Sequence, residues 1–185
     1  MQQVKGAVLK SRLAFVERHS GKPAVERVLA TLPPDMQRTL RMLFTSNWYP
    51  FGIGKALDDA IVQVLGGGRA EFFERLGEAS AEANLATIHS SYLTKGDAHG
   101  FLAKSPSIYS LYYESGRREY RQTGPKEGEL ITHDAETFSA PDCLTVVGWY
   151  RRALAMCGAR APRVVEEECR AKGGSVCRYR LSWSQ

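Results

Sequence analysis

The chain lacks the long apolar runs that a membrane span needs: no stretch approaches about 18 consecutive apolar residues. Its first ten residues, MQQVKGAVLK, carry charge but no apolar core of signal-peptide length, so export is not indicated and a cytoplasmic location is expected. The glycine triplet at 66–68 lacks the Gly-Lys-Ser/Thr ending of a phosphate-cradling loop and reads as a helix end with a turn. No Ser-His-Asp order and no open metal site with a spare base can be traced, so an enzyme is not expected. Basic residues form no tract. The formal charge is +5, and Arg117, Arg118, Arg121, Arg151, Arg152 and Arg163 are scattered, which reads as a solvated surface and excludes nucleic acid as the expected partner. Cysteine is scarce at four residues, and without an export signal these are read as thiols or metal ligands in preference to disulfides.

What is present fits one globular domain over residues 1–185. Hydrophobic content is 43% and charged content 24%, both ordinary for a folded chain. Up to about residue 115 the pattern is helical. A short strand through Gly6, Val8 and Leu9 turns into a helix ending near His19. Val25, Val28, Leu29 and Leu32 make the stripe of a second helix. A third starts at Asp35 with Met36, Leu40, Leu43 and Phe44 inward. Asn47-Trp48-Tyr49-Pro50 is a loop whose aromatics either anchor it or rim a pocket. Phe51 to Leu65 is helical, and a long helical pattern through Phe72, Leu76, Leu85 and Ile88 spans 70–95. Asp97 caps a further helix in which Pro106 forces a kink or break. Tyr109, Tyr112 and Tyr113 crowd together, either as a core stripe or as one wall of a cavity.

After Gly116 the composition shifts to strands. Residues 119–122 and 129–133 flank a turn at 124–128. A helix over 144–156 carries Val147, Tyr150, Leu154 and Cys157 at spacings of three and four and stops at Gly158. Runs 163–170 and 176–183 then flank Gly173-Gly174, a hairpin signal. The order strand–strand–helix–strand–strand behind a helical N-terminal two-thirds predicts an α+β fold, with helices packed on an antiparallel sheet of about four strands.

With the hairpin turn centred on Gly173, Cys169 and Cys177 oppose each other, about 4.5–5.5 Å apart at Cβ. Such a pair can share a metal ion, form a disulfide or simply fill a core. Cys143, at the start of the preceding helix, offers a third sulfur, and the carboxylates at 166–168 offer oxygen. The set Cys143, Glu166, Cys169 and Cys177 resembles the zinc site of the V4R (4-vinyl-reductase-like) domain found in aromatic-sensing transcription activators. That domain is similar to haem-dependent nitric-oxide sensors and vesicle-tethering subunits of one ligand-binding superfamily. The KGAVLKSRLAFV start, the NWYP at 47–50 and the CRYRLSW end resemble an uncharacterised, DUF2378-like paralogous family of myxobacteria.

The resemblance implies a structural zinc (Zn) ion on Cys143, Glu166, Cys169 and Cys177. Strand alternation instead favours Glu167 as the carboxylate, because Glu166 shares a face with Cys169 only across a bulge. The resemblance also implies a small apolar ligand between helices and sheet, with Tyr109, Tyr112, Tyr120 and Trp149 as lining candidates around a void of the order of 300 Å³. The pocket histidine and tryptophan of the aromatic sensors have no counterpart that can be placed here. His19, His89, His99 and His133 sit in no motif that would mark a haem ligand. The expected function is a non-enzymatic ligand-binding or signalling domain whose output passes through a protein partner, with a homodimer as one open assembly state. The alternative is an interaction scaffold, like the tethering subunits, with no ligand.

Overall fold

The computed structural model describes residues 2–184 apart from 88 and 137. A short strand β1 (Gln3–Lys5) leads into helix α1 (Gly6–Ser20), followed by α2 (Lys22–Ala30) and α3 (Pro34–Arg41). Strand β2 (Trp48–Pro50) precedes α4 (Phe51–Leu65) and α5 (Phe73–Leu85), and two short helices follow, α6 (Ala98–Ala103) and α7 (Ser105–Ser110). The sheet region is β3 (Arg117–Gly124), β4 (Glu127–His133), helix α8 (Ala140–Met156), β5 (Arg160–Glu168) and β6 (Cys177–Ser184). The four strands run in the order β3-β4-β6-β5, every neighbour antiparallel, so the fold is α+β with its helices mainly in the N-terminal part.

Several boundaries differ from the sequence reading for identifiable reasons. The first strand is residues 3–5, and Gly6 already belongs to α1, because β1 pairs with β2 and the chain must turn there. Gly6 carries the close approach: a Cβ on it would lie 2.1 Å from the Phe44 carbonyl oxygen. The NWYP segment is thus an anchored strand, and Tyr49 Oη accepts a hydrogen bond from the Phe44 amide at 2.9 Å. Phe44, expected inside, is 64% exposed beyond the end of α3. The pattern over 70–95 ends as a helix at Leu85, and Ile88 lies outside the described residues. Asp97 does cap a helix, accepting from the Gly100 amide at 2.7 Å, and the proline-bearing segment breaks into α6 and α7.

Two clusters of buried apolar residues make the core. One joins α1, α2 and α4 through Leu9, Val16, Val28, Leu57 and Ile61; the other lies between α8 and the sheet around Tyr150, Leu154, Tyr179 and Leu181. Helices α5 and α8 cross closely enough to bind these clusters together, and glycine permits it from both sides. A Cβ on Gly148 would sit 1.8 Å from the Glu74 carbonyl oxygen, and one on Gly77 would sit 2.1 Å from that of Thr145. Arg151 locks the crossing with bonds to Glu74 at 2.7 Å and Glu78 at 2.8 Å. Gly148→Ala must therefore push two backbones apart. We expect it to cost about 3 kcal/mol, despite the better helix propensity of alanine, read as a fall in melting temperature of roughly 6–12 °C.

Candidate metal centre and cavity

The serine before α8 fixes where the first sulfur falls. Ser139 Oγ accepts the Asp142 amide at 3.2 Å, starting the helix four residues before Leu144 and placing Cys143 in its opening turns. The other two sulfurs come from the β5–β6 hairpin. Its last paired residues are Glu168 and Arg178, so Cys169 and Cys177 are opposed one step further on. The connecting loop folds back on itself: the Gly174 amide donates to Cys169 O at 2.9 Å, and Gly173 adopts the left-handed region at φ 90°.

All three thiols are buried, and their sulfurs lie within 4.8 Å of one another, a group that could hold a metal ion. Cys143 and Cys177 are 3.8 Å apart at sulfur, and none of the four cysteines is in a disulfide. The Cys177 thiol is lowered to about 7, chiefly by the hydrogen bond from Cys143, with the Arg170 amide also donating to it at 3.4 Å. Cys143 is pushed the other way by its hydrogen bonds to Cys169 and Cys177 and by burial, so proximity to a helix start does not make it the acidic thiol of the set.

Glu166 and Glu167 are sorted by a bulge. Val165 pairs with Arg180 and Glu166 with Tyr179, but Glu168 pairs with Arg178, so one residue of β5 is extra. Glu166 thereby joins Tyr179, Cys177 and Cys169 on one face, its side chain 6% exposed. Glu167 turns outward to Arg180 at 2.8 Å. Glu166 Oε2 takes Lys172 Nζ at 2.6 Å, whereas its Oε1 is buried with no hydrogen-bond partner. The carboxylate stands outside the 4.8 Å group of sulfurs but beside it, close enough to bear electrostatically on Cys177.

The fourth cysteine is elsewhere. Cys157 follows α8, buried, and burial pushes its thiol up to about 11. Cys157→Ala should keep the full metal content and cost about 1 kcal/mol for the lost packing; loss of metal from this variant in an elemental assay would reassign the site.

Between α1, α5, α7, α8 and β3 lies a cavity of about 80 Å³. Tyr109, Tyr112 and Trp149 line it; Tyr120 does not. Tyr120 shares the inner face of β3 with Arg118, but two residues further along it lies across Gly128 and against α6. Its hydroxyl meets His99 Nδ1 there at 2.5 Å. The volume is well below the expected 300 Å³ because Tyr109 and Tyr150 are themselves buried and fill the interface. A void of about 20 Å³ adjoins it, lined by Arg118, Val146, Asp142, Cys143 and Cys177. One layer of side chains therefore separates cavity from thiols.

Two features escaped the sequence reading. Arg118, grouped above with solvated basic residues, is a wall of both spaces, since strand alternation sends Arg117 out and Arg118 in. Arg12, buried on α1, bonds Asp58 at 2.9 Å and Asp142 at 2.5 Å, tying α1 and α4 to the start of α8 beside Cys143. The second of these had a signal: a charge sitting at an apolar-stripe position, between Leu9 and Val16 for Arg12 and beside Leu57 and Ile61 for its partner Asp58.

The chain belongs to the DUF2378 family of proteins of unknown function, which it matches over residues 49–184. No curated protein matches it. Solved structures do share its fold. An Fe(II) unliganded H-NOX protein from K. algicida is 11% identical with a TM-score of 0.75, covering 98% of this chain and 97% of its own. An H-NOX protein from S. oneidensis in the Fe(II)NO state is 14% identical with a TM-score of 0.69, covering 98% and 99%. At such identities the likeness is one of fold.

Proposed function

We propose that this DUF2378 member is a non-enzymatic, cytoplasmic small-molecule-binding domain, with a zinc ion on Cys143, Cys169, Cys177 and Glu166 and with its output passed to a protein partner. The observation that carries the binding role is the cavity walled by Tyr109, Tyr112 and Trp149, with Ser80 and Asn84 beside it, in a fold shared with H-NOX proteins, one of them described in an Fe(II)NO ligation state. Its mostly apolar wall with a few polar groups suits a small organic ligand.

Zinc is favoured by the donor set and the spacing. Tetrahedral zinc with Zn–S bonds of about 2.3 Å has S···S edges of about 3.8 Å, the Cys143–Cys177 separation. The partnerless Glu166 Oε1 supplies a fourth, oxygen donor that needs something to bind. The same four positions carry the V4R likeness. With four protein ligands such an ion leaves no place for substrate, so its role is to join α8 to the hairpin.

The H-NOX structures are described by their Fe(II) state, and haem is the group their fold suggests. The residues here do not fit one. A cavity of about 80 Å³ holds only a handful of water-sized groups, far fewer than the atoms of a porphyrin. No histidine lines it: His89 Nε2 is hydrogen-bonded to Tyr112 Oη, and His99 is held by Tyr120 and by Pro125 O at 2.8 Å. Burial pushes Tyr112 up to about 12, away from a ligating phenolate.

Native mass spectrometry of freshly purified protein should show a bound small molecule. Val146→Phe, which fills the cavity wall, should lose it with little change in melting temperature. A chain carrying zinc alone, unresponsive to any small apolar compound, would leave the second reading, a scaffold without ligand. The small cavity volume is the observation on that side.

A further inference from the structure

We infer that the cavity takes a small monocarboxylate, its carboxylate on Arg118 and its apolar tail against Trp149, Val146 and Ile108. This rests on the reading that the cavity binds a ligand, and it names the class.

Arg118 is a cation without a counter-ion. Among the described residues no carboxylate lies within ion-pair distance of its guanidinium, and all its partners are neutral. Nε donates to Thr132 Oγ1 at 3.1 Å and Nη1 only reaches Tyr150 Oη at 3.5 Å. Its central carbon stands 4.8 Å from the Tyr109 ring centre and 5.6 Å from that of Tyr150. A guanidinium offers five N–H donors in a planar fork, and Nη2 has no acceptor among the described residues. The other cation in the cavity wall is treated differently: Arg12 has two carboxylates, Asp58 and Asp142. Aromatic faces offset part of the desolvation of Arg118 but form no hydrogen bond to the fork.

The protein has not left a carboxylate of its own free to turn towards it. Asp142 lines the adjoining void with Arg118, but its oxygens are occupied. Oδ1 takes Arg12 Nη2 at 2.5 Å and Tyr113 Oη at 2.9 Å, and Oδ2 is 3.1 Å from the same hydroxyl. A bound carboxylate would supply both the charge and the two acceptors that the fork lacks, in the bidentate geometry it is shaped for. Size narrows the class. At about 10–15 Å³ for each water-sized group, the 80 Å³ cavity accepts roughly five to eight non-hydrogen atoms. A short-chain acid such as butyrate is of that size. The site also abuts the thiol layer through Arg118 and Val146, so occupancy would bear on the Cys143 end of α8.

The test compares butyrate with butyramide, of the same shape but uncharged, by NMR titration of the native protein, following the Trp149 indole signal. Butyrate should bind at least about tenfold more tightly, which is about 1.4 kcal/mol. Arg118→Met should abolish that preference, leaving acid and amide bound alike. Equal binding of acid and amide to the native protein would overturn the carboxylate and keep the ligand site. No response to acid, amide or a neutral hydrocarbon such as benzene would overturn both. The acid–amide comparison needs no variant, so it decides even if Arg118→Met does not fold.

Discussion

Cys177→Ser should lose the proposed metal, expected at about one zinc per chain in the unaltered protein, and should melt about 10 °C lower. The size of that effect follows from where the ion would sit. Cys143 belongs to α8, and Cys169 and Cys177 to the two sides of a hairpin whose strands are already paired with each other, so a shared ion would cross-link the helix to the hairpin. Metal held by the folded chain and not by the unfolded one adds directly to folding free energy. A loss of about 4 kcal/mol at 2–4 °C per kcal/mol gives a shift of that order for a chain of this size. Inductively coupled plasma analysis of zinc and a melting curve with and without a strong chelator check both halves. Glu166→Gln should weaken zinc binding at least tenfold, whereas Glu167→Gln, at the outward position of the bulge, should leave it unchanged. Native protein free of zinc, with a melting temperature indifferent to chelator, would sink the centre.

Why was so much of this site legible, and where did legibility stop? The hairpin was readable because a Gly-Gly pair sat between β-branched runs, and once its turn was centred on Gly173 the facing of Cys169 and Cys177 followed from counting. The carboxylate was different. Strand alternation favours Glu167, and only the extra residue between Glu166 and Glu168 reverses the faces. A bulge is set by how β5 fits β6 in three dimensions, and nothing in the run Val164–Glu168 marks it. The cavity was half legible for a similar reason. The crowding of Tyr109, Tyr112 and Tyr113 announced an aromatic wall, but the length of β3 over which α7 and α8 cover its inner face was not encoded locally. That length decides that Arg118 faces the cavity and Tyr120 faces His99. The N-terminal helices were placed well as elements, yet the bonds that fasten them join residues 46 and 130 positions apart, beyond the reach of any local pattern.

Those bonds predict the second large effect. Removing Arg12 should destabilise the protein by about 3–5 kcal/mol at neutral pH, because it leaves two carboxylates buried and facing each other without a cation. Arg12, Asp58 and Asp142 are each almost wholly enclosed, and one guanidinium serves both acids. The arrangement is short of positive charge even when intact. Burial, with Asp142 adding to it and Arg12 opposing, raises the Asp58 carboxyl from 3.8 to about 6. The folded state therefore binds more protons than the unfolded state between those two values. The contribution of Asp58 to stability falls as pH rises from about 4 through about 6, by up to roughly 3 kcal/mol, and is constant above that. Asp58→Asn should flatten this slope while keeping an acceptor for Arg12. Arg12→Met should lose least against the native protein at the acid end of the range, where Asp58 is protonated in both, and most at pH 7 and above. Urea unfolding of the three proteins from pH 4 to pH 8 separates these curves. An Arg12→Met variant as stable as the native chain at pH 7 would show that the trio does not hold α1 and α4 to α8, and with them one wall of the cavity.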